Sequence, residues 1–211
     1  MSGVAVGGIA GIAGCASVLD DTKIKFSASG VRLPSRVQQE TGYTHHRTYN
    51  ETVTREFARL GINRTVEVNN VISEYDAALE IFERRIQAKI FATLSTPQVA
   101  ILGQAFNPIS DLSATEIANM IQQRYEQFGR ITDDGFISGE IFGKTTVINR
   151  FRAEAYISEL GFAIPVYLYI NDVVEVGNDF MVGIAAHPGG LGRENLKIRS
   201  LYSNLVRGTP N

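Results

Sequence analysis

Two long runs of alternating residues, Tyr43 to Leu60 and Arg64 to Tyr75, limit what this chain can become. Both are rich in Thr and Val, and Gly61-Ile62-Asn63 joins them. Alternate residues of a strand share a face, so Val66, Val68, Asn70 and Ile72 line one side of the second run while Glu67, Asn69 and Ser73 line the other. The connection is of hairpin length. One side is buried and one is wet, which commits this part of the chain to an antiparallel sheet.

Shorter segments extend the sheet. Lys23 to Ala28 (KIKFSA) and Ala88 to Thr96 (AKIFATLST) read as strands. Asp76 to Gln87 fits either a charged helical turn or a distorted strand, and Pro97 to Leu112 is irregular. Ser113-Ala114-Thr115-Glu116 is a capping box, in which Ser113 and Glu116 each satisfy a free amide at a helix start. Ile117, Ile121, Tyr125 and Phe128 follow at helical spacing, and Gly129 supplies the stop.

A three-strand meander comes next: Phe136 to Phe142, Thr145 to Ile157 and Ile164 to Val176, with a turn at Gly143-Lys144. Gly177-Asn178 then leads into Phe180 to His187. In the third strand Ile164, Val166, Leu168 and Ile170 face one way and Tyr167 and Tyr169 the other, so this strand is central and covered on each side. A loop at Leu160-Gly161 would set Arg152 near Tyr169 and Glu154 near Tyr167. Arg152, Tyr167 and Tyr169 are thus a candidate binding patch, although such cross-strand pairs also stabilise ordinary sheets. A final helix spans Glu194 to Val206, and its stripe of Ile198, Leu201, Tyr202 and Leu205 is expected to lie on Phe180, Val182 and Ile184. The sum is an α+β fold, an antiparallel sheet flanked by amphipathic helices, forming one domain over 23–211. The order strand, helix, meander, helix resembles that of PsbP, the extrinsic photosystem II protein, and implies an α/β/α sandwich.

The start of the chain has a different character. Val4 to Gly14 is apolar, but Gly7, Gly8 and Gly11 lie inside it, and each interior glycine costs a helix roughly 1 kcal/mol. The run is too short to span a bilayer and suits the apolar stretch of a secretory signal. It ends in Ile12-Ala13-Gly14-Cys15, which resembles a lipobox, with the sole cysteine as the lipid attachment point. The expectation is a signal peptide over 1–14, a lipid-anchored tether over 15–22 beginning at Cys15, and residence on the outer face of the cell membrane. The charged n-region is missing, since the first basic residue is Lys23, so the true start is expected upstream. Export would expose Asn50-Glu51-Thr52 and Asn63-Arg64-Thr65 as N-glycosylation acceptors, Asn63 at the hairpin tip before Asn50 within a strand.

Catalytic chemistry is sparse. Lys and Arg number 20 against 22 Asp and Glu, which leaves no field to attract nucleic acid. His45, His46 and His187 are the only imidazoles. Strand neighbours point to opposite faces, so His45 and His46 cannot share one metal, and no metal or other cofactor is expected. His187 to Asn195 (HPGGLGREN) has amides that could cradle an anion, but it lacks a phosphate-loop pattern and reads as a plain connection. Asp133-Asp134 reads as a solvated turn, and no serine sits in a nucleophile elbow. The function expected is non-catalytic, a lipid-anchored surface protein that binds a protein partner or assists a membrane complex. The alternative is a surface hydrolase or small-ligand carrier with a site of scattered polar residues.

The stretches ETGY (Glu40 to Tyr43), TVTREF (Thr52 to Phe57), VEVNNVISEY (Val66 to Tyr75) and ATLSTPQVAILGQAFNPISDLS (Ala92 to Ser113) resemble an uncharacterised family of haloarchaeal lipoproteins. The resemblance implies secretion and a lipid anchor at Cys15, and it implies no activity. Proteins of salt-loving archaea are usually strongly acidic, whereas this chain carries a formal charge of −2.

Overall fold

The computed structural model describes residues 23–59, 62–81, 84–101, 104–105, 109–124, 128–158, 161–191 and 194–210. Elements run in the order β1 (Lys23–Ser27), β2 (Val31–Arg32), α1 (Ser35–Thr41), β3 (Thr44–Arg59), β4 (Ile62–Ile81), β5 (Arg84–Pro97), β6 (Ala100–Ile101) and β7 (Gln104–Ala105). There follow α2 (Ala114–Arg124), β8 (Thr132–Ile141), β9 (Lys144–Ile157), β10 (Phe162–Asn171), β11 (Val174–Val176), β12 (Asp179–Pro188), α3 (Asn195–Ser203) and β13 (Val206–Arg207). Among the described residues nine strands form one sheet of order β1-β4-β5-β12-β10-β9-β8, with β3 on β4 and β11 on β12. Every pairing in that sheet is antiparallel except β1 on β4, which makes it mixed. The fold is α+β.

The long hairpin is present as β3 and β4, paired from Thr44↔Asp76 to Arg59↔Ile62. The ambiguous stretch after Tyr75 continues β4 into a second hairpin with β5, and the ladder shifts register between Ala77 and Ala78. Phe142 (φ 51) and Gly143 (φ 76) make the tight turn from β8 to β9, closed by Ile141↔Lys144. Two adjacent left-handed residues match the twist of the flanking strands. The run read as one strand from Ile164 to Val176 divides at Asn171. Its side-chain Oδ1 accepts the Gly183 amide at 2.5 Å and its Nδ2 donates to the Asp172 carbonyl at 2.7 Å, which ends the ladder before β11.

β10 is covered on both faces, as its sequence implies. Val166, Leu168 and Ile170 join Phe151, Ala153, Val182, Ala114, Ile117 and Ala118 in a core beneath α2. On the other face Tyr169 joins Phe91, Met181, Ala185, Val37 of α1 and Ile198, Leu201 and Tyr202 of α3. The capping box of α2 is formed: the Glu116 amide donates to Ser113 Oγ at 3.2 Å, and Glu116 Oε2 accepts the Ser113 amide at 2.8 Å. Tyr125 of the predicted stripe lies outside the described residues.

One expectation is corrected. α3 lies on Met181 and Ala185, whereas Val182 and Ile184 face α2. Gly183 decides this. A Cβ there would come within 2.5 Å of the Tyr202 ring, so the missing side chain makes room for that ring. Tyr202 also donates its hydroxyl to the Tyr169 carbonyl at 2.9 Å. After α3 the chain extends as β13 and pairs with β2.

Candidate functional site

Among the described residues α2 covers β9, β10 and β12 and leaves the same face of β3, β4 and β5 partly open. The alternation Val66, Val68, Asn70, Ile72 on β4 becomes the floor of a groove there. Tyr49, Glu51, Val53 and Arg55 of β3 form one side, and Ala92 and Leu94 of β5 with Ile117, Met120 and Ile121 of α2 form the other. The groove has two lobes of about 440 Å³ and 250 Å³ that meet at Leu94, Ile109, Leu112 and Met120. The larger volume lies within the range of small-molecule sites, roughly 300–1,000 Å³.

Polar groups stand at marked points of this apolar surface. At one end Arg47 pairs with Glu74 (2.6 Å) and lies 4.8 Å over the Tyr49 ring, and Tyr49 donates its hydroxyl to Glu74 Oε1 at 3.1 Å. Arg55 stands exposed at the far end. Asn70 lies between them, opposite Glu51, and its Oδ1 is buried with no hydrogen-bond partner. Met120 is 55% exposed on the lip.

The predicted patch is assembled differently from its expected register. Arg152 pairs with Tyr167 and Glu154 with Pro165, because the loop is centred one residue earlier than Leu160-Gly161 and each partner shifts by two. An even shift preserves the faces. The Arg152 guanidinium lies 5.6 Å over the Tyr167 ring, but Tyr169 is fully buried and lies outside any surface patch. Asp134 is not a solvated turn residue. It holds the buried Arg150 at 2.7 Å and Arg152 at 3.3 Å, so the patch reads as a structural ion network. Asp133 accepts the Gly135 amide at 2.6 Å.

The histidines are separated. His45 and His46 are exposed, and a register shift of the β3–β4 ladder falls between His45 and Arg47. Among the described residues no three of His, Cys, Asp and Glu gather as metal ligands. His187 is buried on the α3 face, its ring stacked on Tyr169 with centroids 5.6 Å apart. Its Nδ1 lies 3.0 Å from the Pro188 carbonyl. A carbonyl only accepts, so Nδ1 carries the proton and Nε2, buried without a partner, is bare.

Glu194 stands beside it at the start of α3, paired with Lys89 at 2.7 Å, and both side chains are nearly buried. The Tyr43 hydroxyl is buried without a partner, and burial with the nearby Glu194 charge raises its pKa. The cluster was not legible, because Tyr43 and Lys89 lie far in sequence from the His187 to Asn195 stretch that carries His187 and Glu194. Within the His187 to Asn195 stretch Glu194 therefore turns inward.

This cluster makes the fold sensitive to acid. Burial holds the His187 pKa below its ordinary 6.5. For Glu194 burial pushes upward from 4.5, but the Lys89 hydrogen bond and charge, with Lys197 and His187, outweigh it and hold the pKa lower. In both cases the unfolded chain binds protons first, so stability falls with falling pH. The loss should begin just below 6.5 through His187 and deepen below 4.5 through Glu194. Urea midpoints measured across this range check it. His187→Gln should flatten the upper part alone.

Residues 1–22, with Cys15, lie outside the described residues. Asn50 is exposed on β3, and Asn63 stands two rungs into the hairpin opposite Ala58. No described helix is long and apolar enough to cross a membrane. No curated protein matches the chain. The sequence pattern of a domain of unknown function, DUF6517, matches residues 30–208, nearly the whole of the sheet and all three helices, and the chain belongs to that family.

Proposed function

We propose that this is an exported protein, lipid-anchored through Cys15 at the outer face of the cell membrane, that works by binding and not by catalysis. The groove beside α2 is its binding site. The observation that carries this reading is the groove itself: a continuous apolar cleft with a half-exposed methionine on its lip and a bare buried acceptor in its floor. Its apolar lining favours a hydrophobic small molecule or an apolar segment of a membrane complex. The small-ligand alternative gains from it, whereas a hydrolase would need a nucleophile and base facing the cleft. The likeness to haloarchaeal lipoproteins and the lipobox-like Ile12-Ala13-Gly14-Cys15 support export and anchoring. The placement of α2 on one face and α1 and α3 on the other supports a PsbP-like sandwich.

The groove reading is tested with a neutral apolar fluorophore, N-phenylnaphthylamine. The protein should bind it saturably with a blue shift, and Met120→Glu should weaken binding about tenfold by setting a carboxylate at the mouth. Equal binding by the variant would remove the groove as the site. The anchor is tested separately. With an upstream signal supplied, mature protein should begin at Cys15 and carry lipid mass, and Cys15→Ser should release it from membranes. An unmodified Cys15 in mature native protein would contradict anchoring.

A further inference from the structure

We propose that the groove takes a long-chain carboxylate, with its head on Arg55 and its tail running along β3 toward Tyr49; this rests on the groove being the binding site. The smaller lobe is built mainly from Val53, Val66, Val68, Leu94, Val99 and Leu112. Arg55 is the only charged side chain among the described residues that line it. It is exposed, and among the described residues it makes no hydrogen bond and no ion pair.

The nearest acids do not serve it. Glu56 and Glu67 lie on the reverse face of the hairpin, since side chains alternate and Glu67 stands opposite Thr54. Glu56 accepts from the Thr65 hydroxyl at 3.0 Å, and Glu67 is paired with Lys23. An apolar lobe with one unmatched cation at its rim fits an amphiphile with an anionic head.

Charge selects the head. One guanidinium balances one negative charge, and the two oxygens of a carboxylate match its fork. A phosphate monoester carries about −1.5 to −2 near pH 7 and would leave charge unmatched above an apolar floor. The larger lobe sets the direction. The charged side chains among its described lining residues are Glu51 and Glu74, and Glu74 is held by Arg47 and Tyr49. A carboxylate entering the other way round would meet acids there.

The tail passes Leu94, Ile109, Leu112 and Met120, where the lobes meet. From Arg55 to Tyr49 is six residues of strand, about 20 Å, so only a long tail fills both lobes. Asn70 stands opposite Glu51, four residues along β3 from Arg55, so it faces the middle of the tail and does not choose the head.

Displacement of N-phenylnaphthylamine from the full chain tests this with four ligands of one tail length. These are tetradecanoate, tetradecanol, tetradecyltrimethylammonium and tetradecyl phosphate, each below its micelle concentration. Tetradecanoate should displace the probe at about tenfold lower concentration than the alcohol, and the other two should fall behind it. Added salt should narrow that preference, because Arg55 is exposed. Arg55→Gln should bring acid and alcohol together, and Arg55→Lys should keep part of the preference. A ratio between two ligands is independent of any uniform loss of affinity. Equal displacement by acid and alcohol in the wild type, or a preference that survives in Arg55→Gln, would overturn the carboxylate assignment and leave the groove standing. Tighter binding of the phosphate would overturn the choice of head. A wild type that binds no probe would remove the groove and this proposal with it.

Discussion

Ending the chain after Gly190 should abolish cooperative folding. The segment removed carries Ile198, Leu201, Tyr202 and Leu205, each at most 4% exposed, into the core shared with Phe91, Tyr169 and Met181. It also carries the Tyr202 hydroxyl bound to the Tyr169 carbonyl and the β13 strand paired with β2. Truncating one buried leucine to alanine costs about 2–5 kcal/mol, and a domain of this kind has roughly 5–15 kcal/mol in total. Leu201→Ala with Leu205→Ala should therefore consume much of the margin, and the deletion should exceed it. Thermal melting followed by circular dichroism checks both. A truncated chain that melts as cooperatively and as high as the full one would make α3 a detachable partner-binding tail.

Lys89→Met should be nearly as damaging. Lys89 and Glu194 leave only 11% and 14% of their side chains exposed. Removing the lysine leaves Glu194 only a longer contact from its Oε1 to Lys197, at 3.7 Å, while its other oxygen is already buried without a partner. Breaking such a pair from one side costs about 3–5 kcal/mol. Glu194→Gln in the same chain should recover most of the loss, because the uncompensated charge is then gone. Urea unfolding of Lys89→Met, Glu194→Gln and the double variant beside the wild type forms a complete cycle. Equal midpoints for Lys89→Met and wild type would show that the pair is solvated and does not hold α3 in place.

Local patterns were legible where they depend on neighbours in sequence. The long hairpin follows from period-two alternation, α2 from its capping box, and the stripe of α3 from its i, i+3, i+4, i+7 spacing. What α3 lies on was not legible, because Gly183 contributes only an absence that becomes meaningful once Tyr202 is brought over it. The Arg152 partner was misplaced because the position of a hairpin's centre sets register, and moving that centre by one residue moves every partner by two.

α1 was missed altogether. It has seven residues and no side-chain cap, and its only punctuation is Pro34 before it and Gly42 (φ 79) after it. Asp134 reads as a turn residue until the fold brings Arg150 beside it. The groove shows the same limit. Its floor is visible as the alternation from Val66 to Ile72, yet its other wall comes from β5 and α2, which only the tertiary fold brings beside it.

Hydrogen exchange with and without N-phenylnaphthylamine tests the binding account most directly. Loops and lids exchange from local openings, and a ligand protects the amides whose opening would break its contacts. Protection should be confined to β3 from Tyr49 to Arg55, to β4 from Val66 to Ile72 and to α2, with the α3 face unchanged. Protection centred on α3, His187 and Tyr43, or the absence of any change at saturating probe, would contradict the groove as the site of function.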